Sequence, residues 1–128
     1  MTYVKLFPAK KAANDNKRPV YTYNPPVDIV ESKDDYRIVL DLPGFEKDDV
    51  NVGVNDGILE VNGTRGGNEE YDTAYYHYFE RRHGEFRRSF RIPDLVDGEK
   101  TEAEYRNGVL TLTLPKKEEA KPYSVTIK

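Results

Sequence analysis

The side chains of this sequence that could do chemistry are few, and their spacing argues against a catalytic centre. His77 and His83 are the only histidines, and neither falls with a carboxylate on a predicted helix, as a metal site on one helix face would require. His77 reads as one member of an aromatic strand and His83 as a turn residue. Asp48-Asp49 and Glu118-Glu119 are adjacent pairs. Neighbours on extended chain point to opposite sides, so neither pair forms an acid–base dyad. Ser32, Ser89 and Ser124 sit in no nucleophile-elbow context. Gly63, Gly66 and Gly67 lack the following helix and lysine of a phosphate loop. Asn62-Gly63-Thr64 fits a glycosylation sequon, idle without a secretory signal. The absence of cysteine removes disulfides and thiolate ligands. The expectation is a non-enzyme with no catalytic residue, no metal and no cofactor.

The chain must then work by presenting surfaces, and composition bounds what builds them. Its 128 residues, 34% charged and 37% hydrophobic, allow one domain with a modest core. A net charge of −3 disfavours nucleic acid or a membrane surface as partner. Residues 1–24 hold Lys5, Lys10, Lys11, Lys17 and Arg18 against Asp15 alone, a net of +4, so the remainder carries −7 of the −3 total. That segment has no sustained periodicity and reads as a flexible arm. No apolar leader core opens the chain and no 18 apolar residues run together, which predicts a soluble cytoplasmic protein.

From Pro25 the pattern becomes period two. Val27 and Ile29 alternate with Asp28 and Val30, and Tyr36, Ile38, Leu40 and Leu42 with Arg37, Val39 and Asp41. Pro43-Gly44 stops that run. Val50, Val52 and Val54 follow, then Asp56-Gly57, then Ile58-Leu59-Glu60-Val61. Asp-Gly between two alternating runs is a hairpin signal, because a type I′ turn needs positive φ at both central positions. Asn107-Gly108 repeats the device before Leu110, Leu112 and Leu114, and residues 85–92 put Phe86, Arg88, Phe90 and Ile92 on one side. Short strands, tight turns and no amphipathic helix predict an all-β fold, an immunoglobulin-like antiparallel sandwich. The domain is expected over residues 25–115, with a tail over 116–128.

One connection is long. Twenty residues separate Gly63 from Gly84, polar at first and then densely aromatic at Tyr75, Tyr76, His77, Tyr78 and Phe79. Such a segment either folds back on its own sheet or completes a neighbour's, and its length favours the second.

These residues carry a resemblance. Leu42-Pro43-Gly44-Phe45 with Lys47-Asp48-Asp49-Val50, Asp56-Gly57-Ile58-Leu59, residues 80–86 with 88–93, and Ala103 with Asn107-Gly108-Val109-Leu110-Thr111-Leu112-Thr113-Leu114-Pro115-Lys116 are similar, in order, to the bacterial type of the small heat-shock (α-crystallin domain) family. The similarity covers about four-fifths of the chain. It implies homodimers, larger homo-oligomers, and ATP-independent holding of unfolding client proteins. It further implies that Tyr75, Tyr76, His77, Tyr78, Phe79, Glu80, Arg81 and Arg82 form a strand exchanged between subunits, lying against the partner's edge near residues 28–30. Arg88 corresponds to the family arginine that supports the dimer. On its own terms Arg88 is either a solvated strand residue or, on the Phe86–Phe90 face, a paired one, since an isolated charge there is costly.

The tail supplies a second device. A charged hinge from Lys116 to Pro122 leads to Val125-Thr126-Ile127. Val125 and Ile127 resemble the family's apolar-x-apolar motif, which implies docking in a groove between Val50, Val52 and Val54 on one side and Ala103 and Tyr105 on the other. Ten steps of extended chain from Pro115 to Val125 reach ~35 Å, enough for another subunit. The bland alternative is a last strand on its own sheet. The arm is shorter and less apolar than in many family members, so a dimer or modest oligomer is expected rather than a large cage. Two rival functions keep the sandwich: a CS-domain-like co-chaperone, which would lack the long loop and tail motif, and a single-stranded nucleic-acid binder using Tyr75, Tyr76, Tyr78, Phe79, Arg81 and Arg82 as a stacking and phosphate surface. The acidic balance of the sandwich speaks against the latter.

Overall fold

A computed structural model of the chain describes residues 23–66, 77–78, 80–81 and 84–128. Its strands are β1 (Val27–Glu31), β2 (Asp35–Asp41), β3 (Val50–Asn55), β4 (Ile58–Arg65), β5 (Gly84–Arg91), β6 (Glu102–Arg106) and β7 (Val109–Pro115). Helical structure among the described residues is confined to three-residue 3-10 turns at Lys47–Asp49, Gly98–Lys100 and Glu118–Ala120. The strands form two antiparallel sheets, ordered β1-β2-β7-β6 and β3-β4-β5.

The period-two pattern explains the layering. Ile38 and Leu40 on β2 stand opposite Leu112 and Leu110 on β7, and Leu59 and Val61 on β4 lie beside Phe86 in the same core. All are at most 4% exposed, with Leu40, Leu59, Val61 and Leu112 at 0%. Both expected hairpins form with positive φ at both turn positions, 51° and 74° at Asp56-Gly57 and 55° and 77° at Asn107-Gly108. The all-β sandwich read from the sequence is the fold observed.

The corner at residues 42–45 ties the sheets together. Leu42 N–H donates to Gly108 O at 2.7 Å, and the Tyr105 hydroxyl donates to the carbonyls of Leu42 and Phe45. Arg65 donates to Pro43 O. The Phe45 ring meets Phe86 edge-on, 5.2 Å between centroids and 86° between planes, the arrangement the ring quadrupoles favour.

Tyr23 and Asn24, the last residues of the expected arm, contact both the body of the fold and β5. Tyr23 N–H donates to Glu85 O on β5 at 2.9 Å, and Pro26 O accepts from Asp41 N–H at 3.3 Å. The segment thus crosses from the three-stranded sheet to the four-stranded one before β1 starts. At the other end Lys116, the first residue of the expected tail, bridges to Val96.

Candidate functional site

Residues directly opposite in a ladder share a face, so the register shows which side chains of an edge strand point into the sandwich. On β6, Ala103 and Tyr105 stand opposite Leu112 and Leu110. On β3, Val50, Val52 and Val54 stand opposite Gly63, Val61 and Leu59. Those five partners are buried, so the five edge residues face inward. Two contacts place both edges on one flank. The Tyr105 hydroxyl reaches Phe45 O, 2.9 Å away and just ahead of β3. A Cβ at Gly98, just ahead of β6, would meet Val54 Cγ1 at 3.5 Å at the far end of β3. The edges therefore run side by side in opposite directions, in different sheets. Val50, Val52 and Tyr105 are half-buried against the core, whereas Val54 is 44% exposed and Ala103 is exposed. Inward-facing apolar residues that stay exposed mark an opening. Val50, Val52 and Val54 on β3 and Ala103 and Tyr105 on β6, the residues expected to line a groove, lie along this one flank.

The opposite flank, between β1 and β5, has the same character. Ile29 stands opposite buried Ile38 and so faces inward, yet is 59% exposed. Arg88 and Phe90 stand opposite Val61 and Leu59 and are half-buried. The Arg88 guanidinium donates to Asn24 Oδ1 at 3.0 Å and lies 5.8 Å from the Phe90 ring centroid. The structure thus gives Arg88 a neutral amide of its own chain as a partner. Val30, on the outer face of β1, is 54% exposed, leaving this edge apolar on both faces.

Of the aromatic excursion, His77, Tyr78, Glu80 and Arg81 are described and lie in no strand; Tyr75, Tyr76, Phe79 and Arg82 fall outside the described residues, as does His83. A hydrogen bond to Glu80 raises the Tyr78 phenol above its ordinary value. In the tail, Val125 is 77% exposed and Ile127 94%, and residues 122–128 form no regular element.

Sequence reasoning missed Tyr23, Arg65 and Lys116. The Arg65 guanidinium stands 4.8 Å from the Tyr23 ring centroid and 5.4 Å from that of Phe45, pinning Tyr23 to the corner by cation–π attraction. The Lys116 side chain is only 9% exposed. Its ammonium donates to the Glu31 carboxylate at 2.8 Å and to Ser32 O at 2.7 Å, 5.4 Å from the Tyr36 ring centroid. Hydrogen bonds from Lys116 and Tyr36 hold the Glu31 carboxyl below the usual glutamate value. Partners 85 residues away leave no local signal; only the aromatic Tyr23 two residues before a Pro-Pro pair hinted that the arm ends in packing.

Among the described residues no group of three or more His, Cys, Asp or Glu could hold a metal, and no helix is long and apolar enough to cross a membrane. A sequence model described as the Hsp20/alpha crystallin family matches residues 28–128. The chain is 33% identical over 112 residues to spore protein SP21 of Stigmatella aurantiaca, covering 88% of this chain and 66% of that one. It is 43% identical over 91 residues to a 22.0 kDa heat shock protein of Arabidopsis thaliana, covering 70% and 47%. This chain thus spans between about half and two thirds of these relatives' length. Among solved structures, a small heat-shock protein from Xylella fastidiosa superposes with a TM-score of 0.71 at 31% identity, covering 84% of this chain and 99% of that one. Heat shock protein 16.0 from Schizosaccharomyces pombe gives 0.69 at 34% identity, covering 83% and 99%.

Proposed function

The chain belongs to the Hsp20/alpha crystallin family, and from that premise we propose that it is an ATP-independent holding chaperone that assembles with copies of itself. The observation that carries the reading is the pair of open flanks: inward-facing Val54, Ala103 and Ile29 remain exposed in the single chain, where a monomeric sandwich would cover them. Apolar surface left in this state is a binding site for apolar chain.

Each flank has an assigned occupant within the proposal. The β1 edge near Ile29 accepts the aromatic excursion, residues 75–82, of a second subunit, with Arg88 supporting that contact. The β3–β6 groove accepts Val125 and Ile127 of another copy. Burying two aliphatic side chains yields ~3–6 kcal/mol before ordering and association costs, so one docked tail is weak and reversible. Several tails on one assembly hold it through effective concentration while subunits still exchange. Grooves vacated during exchange take up the apolar segments of unfolding clients, and heat supplies those clients. The protein acts within the cytoplasm as a dimer or modest oligomer.

The test is light scattering from a heat-labile client, with and without this protein and with no nucleotide added. Suppression at near-stoichiometric ratio is expected. Aggregation that proceeds unchanged at molar excess overturns the proposal.

A further inference from the structure

The tail carries one more exposed apolar side chain than the docking pair. Tyr123 is 83% exposed, beside Val125 at 77% and Ile127 at 94%, while Ser124 and Thr126 separate them. On extended chain alternate residues project to one side, so a docked tail presents three apolar groups in a row over about 13 Å, four steps of ~3.3 Å. The groove offers the same spacing. Val50, Val52 and Val54 are the three inward positions of β3, at the same two-residue interval, with Ala103 and Tyr105 across from them on β6.

We infer that Tyr123 is a third docking anchor, seated in the β3–β6 groove of a second copy together with Val125 and Ile127, and that it sets the register of docking. This rests on the tail-docking reading above and deepens it. With two aliphatic residues and three groove positions, two registers bury the same groups. Only one register buries three residues against three positions. The aromatic ring also offers more contact area than either aliphatic partner and loses little conformational freedom on docking. A second copy is the occupant that fits, because the chain's own fold leaves all three side chains uncovered and residues 122–128, in no regular element, can extend roughly 25 Å from the sandwich.

The experiment mixes full-length light and isotope-heavy copies and follows subunit exchange by native mass spectrometry. All three tail residues are exposed, so the variants leave the fold of the sandwich intact. Tyr123→Ala is expected to speed exchange roughly tenfold, the effect of losing an aromatic anchor, while Tyr123→Phe stays within about twofold of the parent because the ring, not the hydroxyl, fills the groove. The double variant Val125→Ala with Ile127→Ala is expected to exchange at least as fast as Tyr123→Ala. If the double variant speeds exchange and Tyr123→Ala does not, the third anchor is wrong and two-residue docking stands. If the double variant exchanges at the parent rate, or the parent chain is monomeric, both readings fall.

Discussion

The Phe86 ring packs directly over Gly63: a Cβ on that glycine would lie 2.7 Å from Phe86 Cε1 and 2.6 Å from the Asp49 carbonyl oxygen. Gly63 faces inward on β4, opposite both Val50 and Phe86. The glycine is there so that a strand, a ring and a turn can meet without a gap. Gly63→Ala forces backbone or ring to move and is expected to lower stability by about 1–3 kcal/mol, as overpacking does. Urea unfolding followed by tyrosine fluorescence measures it, and an unchanged midpoint refutes this account of the packing.

Tyr105→Phe tests the corner at residues 42–45. The variant keeps the ring in the groove wall and removes the hydroxyl that donates to Leu42 O and Phe45 O. Burial raises the Tyr105 phenol above its ordinary value, so it stays protonated, and a donor, through the neutral range. The expected loss is about 1–3 kcal/mol, read from the same denaturation curves.

Glu31 gives a pH signature. Hydrogen bonding to Lys116 depresses its carboxyl below the ordinary value of 4.5. A depressed carboxylate stabilises the fold above its unfolded value, and that contribution disappears as pH falls through the folded value. Glu31→Gln should therefore melt below the parent at pH 7, and the difference should shrink as the pH falls below 4.5, the ordinary value. A gap in melting temperature that does not narrow with acidification contradicts the pairing.

Ile29→Lys addresses the β1 flank. The side chain is 59% exposed, so intrinsic stability should change by no more than about 0.5 kcal/mol. A charge pointing inward at an edge blocks the addition of further strand, and light scattering should show a smaller assembly than the parent. Unchanged mass would show that this edge accepts nothing.

Much of this architecture is legible in residue order. Alternation at Ile38, Leu40, Leu110 and Leu112, with two X-Gly turns, is enough to specify strands, hairpins and the buried face, because each signal is local. That β3 and β6 share a flank was legible only through the family resemblance, since composition cannot say which edges of two sheets lie together. Lys116 escaped notice because a lysine next to Lys117 in a charged stretch looks solvated; its side chain is buried by a turn far upstream. The contacts of Tyr23 and Asn24 escaped notice for a similar reason. Tyr23 and Asn24 sit in a sequence without periodicity, and their packing depends on Arg65, Glu85 and Arg88, all distant along the chain.

The hydrogen bond from Tyr23 to Glu85 also has a consequence for self-protection. Among the described residues β5 is the outermost strand of its sheet, and an uncovered outermost strand templates the growth of amyloid-like stacks. Here the protein's own backbone takes up one of those bonding positions, and two prolines follow at once. A misfolded chain seeking to add itself there must first peel away Tyr23, together with the Arg65 and Phe45 contacts that hold its ring. The fold thereby withholds one template on its own surface.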